Sequence, residues 1–229
     1  IDEAKYLNQK LKNNLLIVRI TRPTTVKIMN FIKEELKHFP SIILLIDYAN
    51  KGFNKIIKED FRKNNIGMIM LTAEMFSNKE NIQNVLDLKI PIFKFGKENL
   101  KAVKRTAIIL NDTNSYEQIS PIVFDISSQL KIRTKIFDLD PIGEKDGKST
   151  LLDHFENLAK IFNEKIEVVT SSQNPIRELK KEKDMLQLLP LKEKMFKKKY
   201  LFKFLYTNSD FIAFNSNKYN QLLIPIVEE

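Results

Sequence analysis

The chain repeats one layout twice, and this repetition constrains its fold more than any single motif does. Two stretches, residues 15–96 and 105–229, each alternate short β-branched runs with longer amphipathic runs. Each stretch closes on an apolar run centred on a proline, Pro91 in the first and Pro225 in the second. Alternation of this kind is typical of α/β units with a parallel sheet. It predicts two such units, over 1–96 and 105–229, joined by a lysine-rich linker at 97–104.

Composition removes several classes of chemistry. Among 229 residues there are five Gly, two His and no Cys. Disulfides, thiol nucleophiles and thiolate metal sites are therefore excluded. So few glycines leave little material for phosphate-binding loops. We expect no enzymatic activity, no cofactor and no metal site.

The apolar runs predict nine strands. Residues 42–48 form so continuous an apolar run that they fit a strand buried on both faces of a parallel sheet. The predicted strands of the first unit are 15–20, 42–48, 67–72 and 90–95, and those of the second are 106–110, 135–139, 166–170, 211–214 and 222–227.

Helices are predicted between these strands. Thr24 or Thr25 is a candidate cap for the helix that Pro40 stops. Residues 2–12 are predicted to be a short polar helix or a leader. Other predicted helices cover 54–63, 81–88, 116–130 and 150–162, and a long one begins at Ile176 and is broken or kinked by Pro190. Residues 215–221 are too few for a helical crossover, so the last two strands are predicted to form an antiparallel hairpin or to leave the sheet.

The second unit resembles the universal stress protein family. The run 108–112, ending in Asp112, resembles the family's first strand, whose closing Asp reads the adenine side of ATP, and residues 113–115 lie where its helix-starting segment does. Three later segments resemble the third strand with its helix start, the fourth strand and the closing strand: 166–169 with 174–176, 209–214, and 223–227. In the first unit, residues 66–71 and 90–93 resemble the two closing strands of a shortened relative.

One part of the family pattern is missing. ATP-binding members carry a glycine-rich stretch after the fourth strand, whose backbone N–H groups cradle phosphates. Here Phe214 is followed by residues 215–220 and Thr72 by residues 73–76, both without glycine. We infer that neither unit binds ATP in the family manner, which leaves Asp47 and Asp112 as relics or as ordinary strand-end residues.

The resemblance implies two Rossmann-like parallel-sheet units packed in tandem as a pseudo-dimer. Tandem domains of this kind also resemble the cytoplasmic tails of monovalent cation/proton antiporters. The chain begins at Ile1 and not at Met, which favours a piece of a longer protein. The expected role is a regulatory or interaction domain in the bacterial cytoplasm. If the chain is the tail of a transporter, it would lie at the inner face of a membrane. Its partner would be another protein or the rest of its own chain. A homodimer is a further alternative.

A loop resembling a phosphate-binding P-loop lies at 143–150. It has three residues between Gly143 and Gly147 where a P-loop has four, and it continues with Lys148 and Ser149. The alternative is a polar loop that ends in a helix cap, with Thr150 and Asp153 in the positions of a capping box. If a ligand binds, the candidate residues are Asn111, Asp112, Thr113, Gly147, Lys148 and Ser149.

Weaker candidates are the histidines and a pair of carboxylates. His38 and His154 are far apart in sequence, so a metal site would need carboxylates such as Glu156 to complete it. Asp138 and Asp140 lie at the end of a predicted strand, where α/β sheets place ligands. A solvated helix face and a strand-end turn are the simpler interpretations.

Net charge is +9, and one lysine cluster is dense. It consists of Lys192, Lys194, Lys197, Lys198, Lys199 and Lys203. Apolar side chains lie between these lysines, as in helices that rest on anionic membranes. An ordinary helix with its apolar side in the core and a nucleic-acid surface are the alternatives. No recognisable RNA- or DNA-binding motif accompanies the cluster, which disfavours nucleic acid as a partner.

Overall fold

The computed structural model divides the chain into two compact units, Ile1–Ile66 and Gly67–Glu229. It describes residues 1–11, 16–20, 25–37, 42–46, 53–64, 66–72, 87–110, 116–138, 148–163, 165–169, 175–191 and 218–225. Among the helices in these ranges, none combines the length and apolar character that crossing a bilayer requires.

The first compact unit alternates helices with two strands. Its elements are α1 (Asp2–Lys10), β1 (Leu16–Ile20), α2 (Val26–Lys37), β2 (Ile42–Ile46) and α3 (Phe53–Lys63). β1 and β2 pair in parallel, which agrees with the apolar runs that predicted them. Thr25 caps α2 as expected, since its Oγ1 accepts from the backbone N–H of Ile28 at 3.3 Å. Lys5 joins α1 to α2 through a 2.8 Å ion pair with Glu35.

The second compact unit holds seven strands and three α-helices among its described residues. They are β3 (Ile69–Thr72), β4 (Ile92–Phe95), β5 (Arg105–Leu110), α4 (Tyr116–Leu130), β6 (Arg133–Asp138), α5 (Lys148–Ile161), β7 (Ile166–Val169), α6 (Pro175–Lys181), β8 (Met185–Leu191) and β9 (Asn220–Pro225). A short 3-10 helix, Leu100–Ala102, lies between β4 and β5, in the predicted linker.

These seven strands form one mixed sheet in the order β3-β4-β9-β8-β5-β6-β7. Every neighbouring pair is parallel except β4 with β9, which is antiparallel. The expected class, α/β with a mostly parallel sheet, is confirmed. We call the antiparallel pairing of β4 with β9 the seam.

The core lies on both faces of this sheet. α4 contacts β5, and Val123 and Phe124 of the helix and Ile108 of the strand are fully buried. Between α4 and the sheet, the buried hydroxyl of Thr106 lies 2.9 Å from that of Ser127 and donates to Thr134 at 3.1 Å. Pairing these hydroxyls with one another removes the cost of burying them.

One prediction for the last part of the chain is wrong, and one of two alternatives is excluded. The helix that begins at Pro175 ends at Lys181, and residues after it form β8, so there is no long helix broken by Pro190. Pro190 lies beyond Leu188, the last residue of β8 that pairs with β5, and it is paired with Ile224 of β9 on the other side. The final strand does not leave the sheet, since β9 pairs with β4 and β8, and its predicted hairpin partner at 211–214 lies outside the described ranges.

Counted along the chain, β8 is the fourth described strand of the second repeat, and it lies between β5 and β9. The resemblance gave the fourth place to residues 209–214. Residues 209–214 and residues 81–86 of the predicted helix are outside the described ranges, and residues 87–88 of that helix form a turn.

The boundary between compact units differs from the boundary between sequence repeats. Residues 67–96 belong to the first predicted repeat, yet β3 and β4 lie in the sheet that also holds β5 to β9. The repeat limits 1–96 and 105–229 stay a prediction. The linker at 97–104 is anchored by Leu100, which is buried.

Candidate functional site

The carboxyl edge of the parallel strands β5 to β8 is the first place to look for a ligand. From β5 the chain proceeds to β6 and β7 on one side, and it later adds β8 and β9 on the other side. The order reverses between β5 and β8. Open α/β sheets bind ligands outside the carboxyl ends of their strands at this kind of switch point.

Two of the predicted candidate segments follow the two strands that flank this switch point. Asn111, Asp112 and Thr113 follow Leu110, the last residue of β5. The lysine cluster begins at Lys192, directly after Leu191 at the end of β8. All three candidate residues and all six lysines of the cluster are outside the described ranges. The helical character expected for the lysine cluster therefore stays a prediction.

The P-loop-like segment is described only in part. Gly143 and Gly147 lie outside the described ranges, and α5 begins at Lys148. Lys148 and Ser149 therefore occupy the first turn of a helix, although their side chains are not among those described. Thr150 lies inside this turn, so the prediction that it caps the helix is wrong.

The glycine-rich stretch of the family is also absent after β8, the fourth described strand of the second repeat. With β8 as the fourth strand, the glycine-rich stretch of the family would follow Leu191, and no glycine occurs in the sequence after Gly147. The segment after Thr72 at the end of β3 also has no glycine before Gly96.

His154 makes a contact between helices. Its Nε2 lies 3.1 Å from the hydroxyl of Ser120, which joins α5 to α4. Ser120 is fully buried, and the His154 ring meets Phe155 edge-on. Among the residues that the structure describes, no three His, Cys, Asp or Glu side chains are grouped to hold a metal ion. His38 and Asp140 are outside that set, and Asp138 is described only as the last residue of β6.

The sheet also carries a polar feature that sequence reasoning missed. One line of directly paired residues crosses all seven strands, and paired residues project from the same face. It runs from β3 to β7 through Leu71, Lys94, Gln221, Gln187, Ala107, Lys135 and Glu167. We call this line the cross-strand row. Ala107 divides it into a seam half, Lys94 to Gln187, and a far half, Lys135 and Glu167.

The seam half is a buried lysine in line with two buried amides. Lys94 is only 2% exposed, and its Nζ donates to Oε1 of Gln221 at 3.0 Å. Gln221 in turn donates through Nε2 to Oε1 of Gln187 at 2.7 Å. Burial lowers the pKa of the Lys94 ammonium to about 8, because a low-dielectric interior disfavours the charged form.

One end of the seam is a close approach of two backbones. Gly96 follows β4, and a Cβ there would overlap the backbone carbonyl of Tyr219, just before β9. The side chain of Asn220 bridges the same place: its Oδ1 accepts from the N–H of Gly96 at 2.9 Å, and its Nδ2 donates to the carbonyl of Glu98 at 2.9 Å. Glycine is needed here for space and not for an unusual φ.

The far half carries a lysine among carboxylates. Nζ of Lys135 is 2.8 Å from Glu182 and 2.9 Å from Glu167. Glu182, which follows α6, also accepts from Arg105 at 2.7 Å, so it ties the end of that helix to β5 and β6. Burial alone would lower the pKa of Lys135, but the hydrogen bonds to Glu182 and Glu167 outweigh it and the pKa is raised.

A sequence signal for the seam half does exist. Lys94 interrupts the apolar strand between Phe93 and Phe95, and Gln187 interrupts another between Leu186 and Leu188. A polar residue on a strand that is otherwise apolar indicates either a solvated position or a buried partner. Register between strands distant in sequence was needed to decide between them.

The fold is that of the universal stress proteins. The chain is similar to a putative universal stress protein from Pseudomonas aeruginosa UCBPP-PA14, with a TM-score of 0.58, 12% identity, and coverage of 92% of this chain and 81% of that one. A universal stress protein from Archaeoglobus fulgidus DSM 4304 gives a TM-score of 0.55 at 11% identity, over 96% of this chain and 91% of that one. A functionally unknown protein from Pseudomonas aeruginosa PAO1 is equally similar, with a TM-score of 0.58 at 12% identity, over 92% of this chain and 81% of that one. No protein-family model and no curated protein sequence matches the chain.

Proposed function

We propose that this chain is a non-enzymatic regulatory or interaction domain of the universal stress type, built from two tandem units that pack as a pseudo-dimer. Its partner would be another protein or the rest of its own chain. The proposed setting is the cytoplasmic side of a bacterial ion transporter. The arrangement of the seven-stranded sheet around the seam is the observation that carries this proposal.

The order of strands around the seam supports the tandem arrangement. On one side β9 lies beside β8, and on the other side β4 lies beside β3. Both pairs are parallel, and the seam between them is antiparallel. Two like strand pairs in opposite directions are what a local two-fold axis through the seam would produce.

A seam of this kind suits a regulatory element. The seam joins β4 of one proposed repeat to β9 of the other, so a partner that favours one arrangement of that joint would shift its population. The sequence after β3 and after β8 carries no glycine with which to cradle phosphates. A protein partner is therefore favoured over a nucleotide ligand.

A thermal-shift titration tests the regulatory proposal against nucleotide binding. A ligand at a hundred times its dissociation constant adds about 2.7 kcal/mol of stability. ATP, ADP, AMP, NADH and cyclic dinucleotides, each with and without magnesium, are expected to leave the midpoint unchanged. A clear shift with any of them would overturn the proposal that the domain works through protein contacts alone.

A nucleotide-binding stress protein is the second candidate, because the chain leaves β5 and β8 at the switch point. Asp112 follows the first of these strands and Lys192 the second. If a nucleotide shifts the midpoint, Asp112→Ala would abolish the shift for a site at the switch point. Lys148→Ala would abolish it for a P-loop site, and Lys97→Ala is the control for loss of one positive charge.

The transporter setting has a separate test. The coding sequence upstream of Ile1 should encode several hydrophobic spans of about 20 residues. An upstream region without such spans would remove the transporter setting and leave the interaction domain.

A further inference from the structure

The seam raises a question of partner choice. A chain with two closing strands offers three antiparallel pairs: β4 with β9, and between two copies β4 with β4 or β9 with β9. Each copy holds one strand of each kind. An assembly that pairs every closing strand with its like must therefore contain β4 with β4. A residue that prevents this pair enforces the pairing of β4 with β9.

Lys94 is placed to prevent it. In the seam its Nζ donates to the Gln221 amide oxygen at 3.0 Å, and the directly opposite residue on β9 is that same Gln221. In a pair of two β4 strands, a register that keeps Lys94 on this face would place it opposite a second Lys94 or opposite Ile92. The first brings two ammonium groups together in a buried row, and the second supplies no acceptor.

Burying a lysine at this position desolvates its charge, and replacing buried polar groups by apolar ones of similar volume is often neutral or stabilising. The lowered pKa of Lys94 reflects that desolvation. The amine adds discrimination between partners, which interfaces gain by penalising the wrong pair.

We propose that Lys94 is a selectivity residue that directs β4 to β9 and excludes a second copy of this chain from the β4 edge. The short connection from Phe95 to Arg105 ties β4 to β5, which lies in the same sheet as β8 and β9. Within one chain, β4 and β9 therefore meet at a high effective concentration. The proposal stands on the register and hydrogen bonds of the seam, and it does not depend on the regulatory function proposed above.

Three variants separate this role from a general effect of charge. Lys94→Gln removes the ammonium group and keeps a polar side chain, so β4 becomes able to pair with itself through two amides. The double variant Lys94→Gln with Gln221→Lys moves the lysine to β9 and restores one lysine and one amide across the seam. Lys97→Met removes an equal charge from an exposed position three residues away.

Sedimentation equilibrium of the full chain is the measurement, after circular dichroism has shown that each variant is folded. We expect Lys94→Gln to self-associate at a concentration about tenfold lower than the wild type, a change of about 1.4 kcal/mol. The double variant and Lys97→Met should match the wild type. Equal association of Lys94→Gln and wild type would overturn the proposal, and so would an equal gain in Lys97→Met. If Lys94→Gln is not folded, Lys94→Met is measured against the same two outcomes.

Discussion

The two halves of the cross-strand row hold the same residue type in opposite circumstances. Lys94 in the seam half donates to the neutral amide of Gln221, and burial lowers its pKa to about 8. Lys135 in the far half faces two carboxylates, and its pKa is raised. Both lysines are largely withdrawn from solvent, since the whole of Lys94 is 2% exposed and the side chain of Lys135 is 11% exposed.

The difference shows that burial by itself does not decide what a lysine does for stability. Desolvation opposes the charged form in both halves. In the far half, the carboxylates of Glu182 and Glu167 offset that cost. In the seam half, burial outweighs the hydrogen bond to Gln221 and the pKa of Lys94 is lowered, so we expect Lys94 to contribute less to stability than Lys135 does. The same substitution should therefore have different effects at the two positions.

The largest expected effect comes from breaking the far half. Lys135→Met leaves Glu182, whose side chain is 15% exposed, with Arg105 as its remaining cation among the described contacts. We expect the free energy of unfolding at pH 7 to fall by about 3 kcal/mol, as for other largely buried ion pairs that lose one partner. Chemical denaturation measures it, with Lys97→Met as the control for a lost surface charge. A loss no larger than that of the control would contradict the role given to Lys135.

The pH dependence of stability is the next largest effect, and it belongs to the seam half. The pKa of Lys94 is about 8 in the folded chain against an ordinary 10.5, so the unfolded chain binds more protons between these values. The unfolding free energy of the wild type should therefore rise with pH over this window, by about 2 to 3 kcal/mol relative to Lys94→Met. Lys135 has a raised pKa, so its contribution is complete below 10.5 and is lost only at higher pH.

Denaturation of the wild type and Lys94→Met at several pH values between 7 and 10.5 tests this difference. Other titrating groups contribute equally to both proteins and cancel. Parallel curves would show that Lys94 titrates at its ordinary pKa and that the seam does not desolvate it.

A third effect separates the seam from the rest of the sheet. Gly96→Ala would force β4 and the residue before β9 apart, because the new Cβ overlaps the carbonyl of Tyr219. We expect a loss of about 2 kcal/mol, within the range for overpacked sites. Gly67→Ala is the matched control, since nothing lies within 4 Å of the corresponding Cβ. Relative to the wild type, Gly96→Ala should accelerate amide hydrogen exchange more in β4 and β9 than in β6 and β7. An equal acceleration in all four strands would contradict the assignment of the effect to the seam.

The smallest expected effect is Lys94→Met at neutral pH. Removing a desolvated ammonium group is favourable, while Gln221 loses the donor at its Oε1. We expect a net gain of about 1 kcal/mol in unfolding free energy at pH 7. Chemical denaturation of Lys94→Met and Lys135→Met under the same conditions measures the two changes in unfolding free energy. Equal losses of unfolding free energy in both variants would remove the distinction between the two halves.

Much of the fold was predictable because it depends on local patterns. The apolar runs that became β1, β2, β5 and β9 are continuous enough to be recognised from any window of the sequence. β8 was missed because Pro190 is read locally as a helix breaker. Its place in a strand depends on pairing with β5 and β9, whose residues are distant in sequence.

The candidate sites were less predictable, for a related reason. Chain order places Asp112 after a strand, but only the sheet order puts β8 beside β5 and so makes that strand end part of a switch point. His154 suggested a metal ligand by its neighbours in sequence, whereas its contact is with Ser120 on another helix. The cross-strand row was not foreseen at all, because its members come from seven separate strands.

The sequence by itself determined that this chain forms α/β units and where most of their strands begin, because the period of apolar residues is a local property. It also determined that no glycine follows β3 or β8 closely enough to form a phosphate loop. Only the tertiary structure decided that β4 meets β9, that Lys94 faces Gln221, and that Lys135 faces two carboxylates. The energies of these lysines depend on burial and on the charge of their neighbours, and both arise only when strands distant in sequence pair.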